Sequence, residues 1–353
     1  MYESFYGFRE KPFSILPDPA FLFLSQKHRM ALSMLEYGLT GQTSFTVVTG
    51  EIGSGKTTLV RKLLQEIDAE ITVGLVSNTQ CSSFEELFRW ILFAFELEYR
   101  GKDKVELYHT FTDFLIKEYG LSRRVVLIID EAQNLGPEPL EQLRMLSNVN
   151  AYKHQVLQLI LVGQPNLRDL LRCPELEQFA QRIGVDYHLN PLDKGETIDY
   201  IHHRLSVAGG DRNLFSTEAC ALIWRHSRGI PRLVNILCDM ALVYGFAEQE
   251  LHIREELIRD VVRDKQMGLT PLREEQTPQG DQALSNLTTG TEHRRDGFLA
   301  EEVNHLSTNE TSSNGKSQVP SVQRKEPGEI DEAPKSDELS TIERLNARLK
   351  FKN

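Results

Sequence analysis

The run Gly50-Glu51-Ile52-Gly53-Ser54-Gly55-Lys56-Thr57 has the types and spacing of a phosphate-binding loop, G-x-x-x-x-G-K-T. Its glycines let successive backbone N–H groups converge on phosphate oxygens, and a helix that follows adds the positive end of its dipole. Lys56 is expected to reach the β- and γ-phosphates, Thr57 to ligate Mg²⁺, and Thr58 to continue the cradle into the helix. A glycine-rich turn without that chemistry would need neither a lysine nor a threonine at these positions. Asp130-Glu131 supplies a second pair of groups. Asp130 is expected to hold Mg²⁺ through water, and Glu131 to polarise a water against the γ-phosphate. Together they read as an ATP- and Mg²⁺-dependent hydrolytic site.

Three more side chains are candidates. Gln164 follows the apolar run 157–163, and its amide suits sensing a γ-phosphate and orienting water; a role in the turn Gly163-Gln164-Pro165-Asn166 is the alternative. Arg182, after Phe179-Ala180-Gln181, suits an arginine offered to a neighbouring subunit's nucleotide, against a plain surface salt bridge, with Arg168 and Arg172 as competitors. Arg232 lies just after Gly229-Ile230-Pro231 and is expected to report the γ-phosphate to a helical lid, with Arg228 as the alternative. The ten histidines show no metal-ligand spacing, and His202-His203 reads as a pair on a helix surface.

These groups need a scaffold, and the apolar pattern describes one. Short apolar runs at 45–49, 73–76, 125–129, 157–163 and 185–189 read as strands, the last at an edge. Helical spacing falls between them, over about 84–95, 107–119, 140–146 and 167–171. The continuous run Val125-Val126-Leu127-Ile128-Ile129 is what a parallel strand buried on both faces requires. The expectation is an α/β fold, a P-loop nucleotide-binding domain on an open parallel sheet over 25–192. It is followed by a small helical lid over 193–267, with helices near 195–207, 216–227, 231–247 and 253–265. Ser216 offers a cap to the second of these, and Pro231 starts the third.

Residues 1–24 are rich in proline and aromatics and cannot form a long helix. They are expected to pack on the edge of the nucleotide pocket. From 268 to 338 the composition turns to Thr, Ser, Asn, Gly, Pro, Glu and Gln without a periodic face, which reads as a disordered linker. Over 339–350, Leu339, Ile342, Leu345 and Leu349 regain helical spacing beside Arg344 and Arg348, as an amphipathic docking helix or a frayed tail.

The chain has 353 residues, 40% hydrophobic, with a formal net charge of -11. That acidic balance argues against general nucleic-acid affinity and leaves room for a local basic patch. The four cysteines are too widely spaced for a disulfide framework or a metal knuckle. The chain start has no cationic region before a long apolar run, and no stretch approaches the roughly 20 apolar residues of a spanning helix. A soluble, cytoplasmic protein is expected.

The phosphate loop, V-V-L-I-I-D-E-A-Q, L-I-L-V-G-Q-P, F-A-Q-R-I and G-I-P-R-L-V-N together resemble the AAA+ ATPases. With the opening F-x-x-x-P-F-x-x-x-P-D-P, they resemble more closely the general secretion pathway protein A (ExeA/GspA) group, over about residues 1–267. The resemblance implies an ATPase core with a helical lid, assembled into a homo-oligomeric ring or filament. It gives the family roles to Lys56, Thr57, Asp130, Glu131, Gln164, Arg182 and Arg232. It also implies work at the inner-membrane side of an envelope system for secretion, pilus or exopolysaccharide assembly. Full-length secretion members commonly continue into a membrane span and a peptidoglycan-binding domain. Here the polar stretch 268–353 follows, so the expectation is a shorter member whose membrane anchor comes from a partner protein. The competing expectations are a DNA-binding regulatory ATPase of the transposition type and a scaffold switched by ATP.

Overall fold

Five apolar runs become strands of one parallel sheet because each is buried on at least one face and separated from the next by a helical crossover. The computed structural model describes residues 1–267 apart from 17, 69, 78–80, 82, 149 and 152–153. The strands are β1 (Phe45–Gly50), β2 (Ile71–Val76), β3 (Arg124–Ile129), β6 (Leu157–Gly163) and β7 (Ile183–Leu189). β4 (Asn150–Ala151) and β5 (His154–Gln155) form a separate antiparallel pair that no sequence pattern announced. The order in the main sheet is β2-β3-β6-β1-β7. Strands β1 and β6 are buried along their whole length, and β3 along all but its first residue. The edges β2 and β7 are only partly buried, as edge strands with a wetter side are.

Helices α1 (Glu3–Tyr6), α2 (Gln26–Thr40), α3 (Lys56–Glu66), α4 (Phe84–Ala94), α5 (Lys104–Gly120), α6 (Pro137–Leu146), α7 (Asn166–Leu171) and α8 (Glu177–Ala180) accompany the sheet. Local chemistry sets their starts. Asp103 and Glu106 close a capping box on α5, Ser83 caps α4, and Pro137 opens α6. Beyond the sheet come α9 (Lys194–Val207), α10 (Thr217–Ser227), α11 (Pro231–Ala247) and α12 (Glu255–Gln266). Ser216 caps α10 through the Ala219 N–H, and Pro231 occupies the first turn of α11.

Apolar burial divides into two clusters. One joins the sheet to α4, α5 and α6 through Phe88, Ile91, Phe111, Leu127 and Leu159. The other joins α9 to α12 through Ile201, Leu237, Ile253 and Ile258. The second cluster also takes in Tyr2, Phe8, Phe13 and Phe21 from the opening segment. The expectation that residues 1–24 pack on the nucleotide pocket therefore holds only for their last part. Their first aromatics enter the helical core, where Ile201, Leu205, Phe215 and Ile253 offer buried apolar partners. Polar ties reinforce this seat: Tyr2 Oη donates to Asp239, Tyr6 Oη to the Glu250 carbonyl at 3.0 Å, and Arg204 to the carbonyls of Pro12 and Ser14.

Among the described residues no helix is long and apolar enough to cross a membrane. None groups three or more metal-ligating side chains, and the four cysteines are free. His202 and His203 both lie on α9 and are half-buried; the His203 ring lies 5.6 Å from that of Phe23. The expected linker 268–338 and helix 339–350 lie outside the described residues.

Candidate active site

β1 ends at Gly50, and the chain turns through Glu51, Ile52, Gly53, Ser54 and Gly55 into α3, whose first residue is Lys56. Gly53 and Gly55 carry φ of 82° and 99°, values that side chains rarely tolerate, so the turn can close tightly on the helix start. Lys56 Nζ donates to the carbonyls of Gly50 at 2.8 Å and Glu51 at 3.0 Å. Burial pushes this ammonium down from its ordinary value, and the charges of Glu131, Asp130 and Glu51 oppose that shift. Ser54 Oγ is buried and meets no hydrogen-bond partner among the described residues. A buried orphan hydroxyl inside a glycine loop is a group that a phosphate oxygen would satisfy, so the cradle fits a nucleotide phosphate chain.

Thr57 Oγ1 donates to Asp130 Oδ2 at 2.8 Å, and Asp130 Oδ1 accepts the Glu131 backbone N–H at 2.9 Å. Asp130 is buried, and burial pushes its carboxyl up while those two bonds and the charge of Lys56 hold it down. A buried carboxylate touching the loop threonine is a fitting oxygen donor set for Mg²⁺. Sheet order explains the meeting: β6 lies between β1 and β3, so the ends of these strands converge over the loop. That also brings Gln164, just after β6, against Glu131, with Gln164 Nε2 donating to Glu131 Oε2 at 3.1 Å.

Of the other two candidates, one meets the loop and one does not. Arg232 stands in the first turn of α11; its backbone N–H donates to the Gly53 carbonyl at 3.2 Å, so helix and phosphate loop touch directly. Arg182 precedes β7 at the far end of the sheet. Ile183 pairs with Phe45 while Leu189 pairs with Gly50, so about six strand residues, roughly 20 Å, separate Arg182 from its own phosphate loop. Its guanidinium donates to the Arg144 carbonyl at 3.3 Å, to Ser147 Oγ at 3.2 Å and to Asn148. Of its competitors, Arg168 pairs with Asp186 at 3.1 Å and Arg172 with Asp169 at 4.0 Å.

Beside the phosphate loop, His28, Tyr200 and Arg204, which sequence reasoning passed over, meet Phe21 and Phe23 of the opening segment. A cleft beside Gly55 and Thr58 is walled by Phe21, Phe23, His28, Tyr200, Arg204 and Pro231. His28 is buried: its Nε2 lies 3.0 Å from the Ser54 carbonyl and its Nδ1 2.9 Å from Ser25 Oγ. One arrangement satisfies both contacts, with Nε2–H donating to the carbonyl and Nδ1 accepting from the hydroxyl. Burial pushes the His28 imidazole below its ordinary value, in keeping with a neutral ring. The Arg204 guanidinium lies over the Phe21 ring at 4.7 Å. It also donates to Tyr200 Oη at 3.1 Å. Gln133 contacts both Glu131 and the end of β6. The D-E-A-Q run was visible in the sequence, but nothing in it told which way that amide faces.

Fold and site together define a P-loop nucleotide-binding domain. Residues 39–171 match the family model described as AAA domain, and the chain carries an AAA+ ATPase domain. It is 41% identical over 248 residues to General secretion pathway protein A of Aeromonas hydrophila, across 70% of this chain and 45% of that protein. The chain thus spans about half the length of that relative. Two solved structures share the fold at low identity. CDC6P of Pyrobaculum aerophilum has a TM-score of 0.57 at 18% identity, over 72% of this chain and 70% of that one. The ORC2 protein of Aeropyrum pernix, in its ADPNP–ADP complexes, has a TM-score of 0.56 at 17% identity, over 73% and 72%.

Proposed function

We propose that this chain binds ATP with Mg²⁺, hydrolyses it, and works as a homo-oligomer that energises or remodels an envelope export or assembly complex. The observation that carries the hydrolytic part is the contact chain Thr57–Asp130–Glu131 beside Lys56 at the converging ends of β1, β3 and β6. Lys56 and the loop N–H groups hold the β- and γ-phosphates, and the cleft lined by Phe21, Tyr200 and Pro231 takes the base. Thr57 and Asp130 would hold Mg²⁺, which when bound neutralises charge on the phosphate oxygens. Glu131 orients a water and accepts its proton as the oxygen attacks the γ-phosphorus. The bond from that phosphorus to the bridging oxygen breaks, and ADP leaves with the electron pair.

Arg232, on a helix whose first turn bonds to Gly53, reports the nucleotide to the helical region. Arg182, some 20 Å from its own loop, serves the γ-phosphate of a neighbouring subunit. The export assignment rests on the 41% identity to General secretion pathway protein A. A cytoplasmic location, with a partner protein at the membrane, follows from that reading.

The test is ATP turnover of the purified chain against its own concentration, with and without duplex DNA. Steep concentration dependence that DNA leaves alone, lost in Arg182→Ala and in Lys56→Ala, is the expected result. Undiminished turnover in Lys56→Ala sinks the site assignment. Strong DNA stimulation replaces the export reading with a DNA-directed one.

A further inference from the structure

Glu131 is held in an uncommon way. Its φ is 57°, in the left-handed region that glycine and asparagine favour, a conformation that persists only where the surroundings enforce it. Gln133 holds its side chain. Gln133 Nε2 donates to Glu131 Oε2 at 2.5 Å, and Gln133 Oε1 accepts the Gln164 backbone N–H at 2.9 Å. The second N–H of Gln133 Nε2 faces Asn134 Oδ1 at 3.5 Å. A flipped amide would set oxygen against the Glu131 carboxylate and N–H against N–H, so the orientation is determined by its partners. A methyl group on Gly163 would stand 2.9 Å from Gln133 Oε1, so the glycine ending β6 makes room for the amide. Gln164 Nε2 also donates to Oε2, and Oε1 of Glu131 accepts no hydrogen bond among the described residues.

We propose that Gln133 is a positioning residue for hydrolysis: its amide ties Glu131 to the end of β6 and, with Gln164, anchors Oε2 so that Oε1 is left to take the attacking water. This rests on the ATPase reading above and assigns a residue to it. Gln133 touches neither nucleotide nor water itself; it acts through Glu131.

The test uses the full 353-residue chain. Gln133→Leu keeps the side-chain bulk and removes the amide; Gln133→Glu sets a carboxylate against Glu131. Both are expected to lower kcat at least about tenfold, since general-base assistance contributes roughly 10²–10⁴-fold. The dissociation constant for a fluorescent ATP analogue should stay within about twofold, because the amide bonds to the Glu131 carboxylate and the Gln164 backbone and not to the phosphate loop. In a Glu131→Gln background the losses should not multiply: the double variant should fall within about twofold of Glu131→Gln alone. Melting curves identify a variant that fails to fold, and the other then carries the comparison. Unchanged kcat in a folded variant, weakened analogue binding that accounts for the whole loss, or full multiplication with Glu131→Gln each overturns the assignment. A wild-type chain with no turnover at any concentration overturns the ATPase reading and this assignment with it. Turnover in the wild type matched by Gln133→Leu overturns the assignment alone.

Discussion

Gly229→Ala should uncouple the helical region from the phosphate loop. Gly229 forms the turn between α10 and α11 at φ 69°, buried against the linker that leaves β7. A Cβ there would stand 1.8 Å from the Leu192 carbonyl oxygen and 2.8 Å from its carbonyl carbon. Those are backbone atoms and cannot rotate aside, so the turn must retreat by more than about 1 Å to reach ordinary contact. Retreat breaks the bond from the Leu192 N–H to the Gly229 carbonyl, now 2.9 Å long. The left-handed φ costs alanine about 1–2 kcal/mol. Stranding that buried bond adds about 1–3 kcal/mol. The sum, about 2–5 kcal/mol, corresponds to a fall in Tm of roughly 5–20 °C for a unit of this size. Gly101→Ala is the control: its φ is 71°, and a Cβ there meets nothing within 4 Å, so it carries the φ cost alone. Differential scanning calorimetry on both variants isolates the overlap. ATP-analogue binding should weaken in Gly229→Ala only, because Pro231 and the Arg232 N–H that meets Gly53 follow the turn. Two variants that melt within about 2 °C of each other refute the argument.

His28, His188, His202 and His203 all have imidazoles pushed below the ordinary value of 6.5, burial being the largest cause in each. At these four sites the folded chain binds fewer protons than the unfolded one below about pH 6.5, so their contribution to stability falls as the pH drops, by at most about 1.4 kcal/mol per pH unit for the buried His28 and by less for the three partly exposed rings, which solvent screens. Tm should decline from pH 7.5 to pH 5.5, and His28→Gln, which can still donate to the Ser54 carbonyl, should flatten the decline; an unchanged slope refutes the burial argument. Asp130→Asn should raise Tm in the absence of nucleotide, since the amide oxygen can accept the Glu131 N–H while the amide N–H donates to a Thr57 hydroxyl turned to accept, with no buried charge, and it should abolish Mg²⁺-dependent turnover. Mg²⁺-ATP should then raise Tm in the wild type and not in the variant; a lower Tm for Asp130→Asn without ligand counts against the desolvation cost.

What the sequence by itself determined was local. The phosphate-loop motif could be read because its residue types and spacing lie within eight consecutive residues. Asp130 and Glu131 could be read because a fully apolar strand immediately before two acids has few uses. The parallel α/β class followed from strand runs too apolar for an exposed face. Helix starts at Ser216 and Pro231 were legible because a cap acts within three or four residues.

Only the tertiary structure decided which distant groups meet. His28 reaches Ser54, Arg204 reaches Pro12 and Ser14, and Gln133 reaches the N–H of Gln164. The aromatics at 2–13 look alike as sequence whether they cover a pocket or fill a core, and the free apolar surface of α9–α12 settled where they went. Arg182 is 18 residues from Gln164 along the chain yet at the opposite end of the sheet, because β7 runs parallel to β1 and so begins where β1 begins. Local spacing encodes periods and caps; it carries no record of strand order, and strand order determines which side chains share a site.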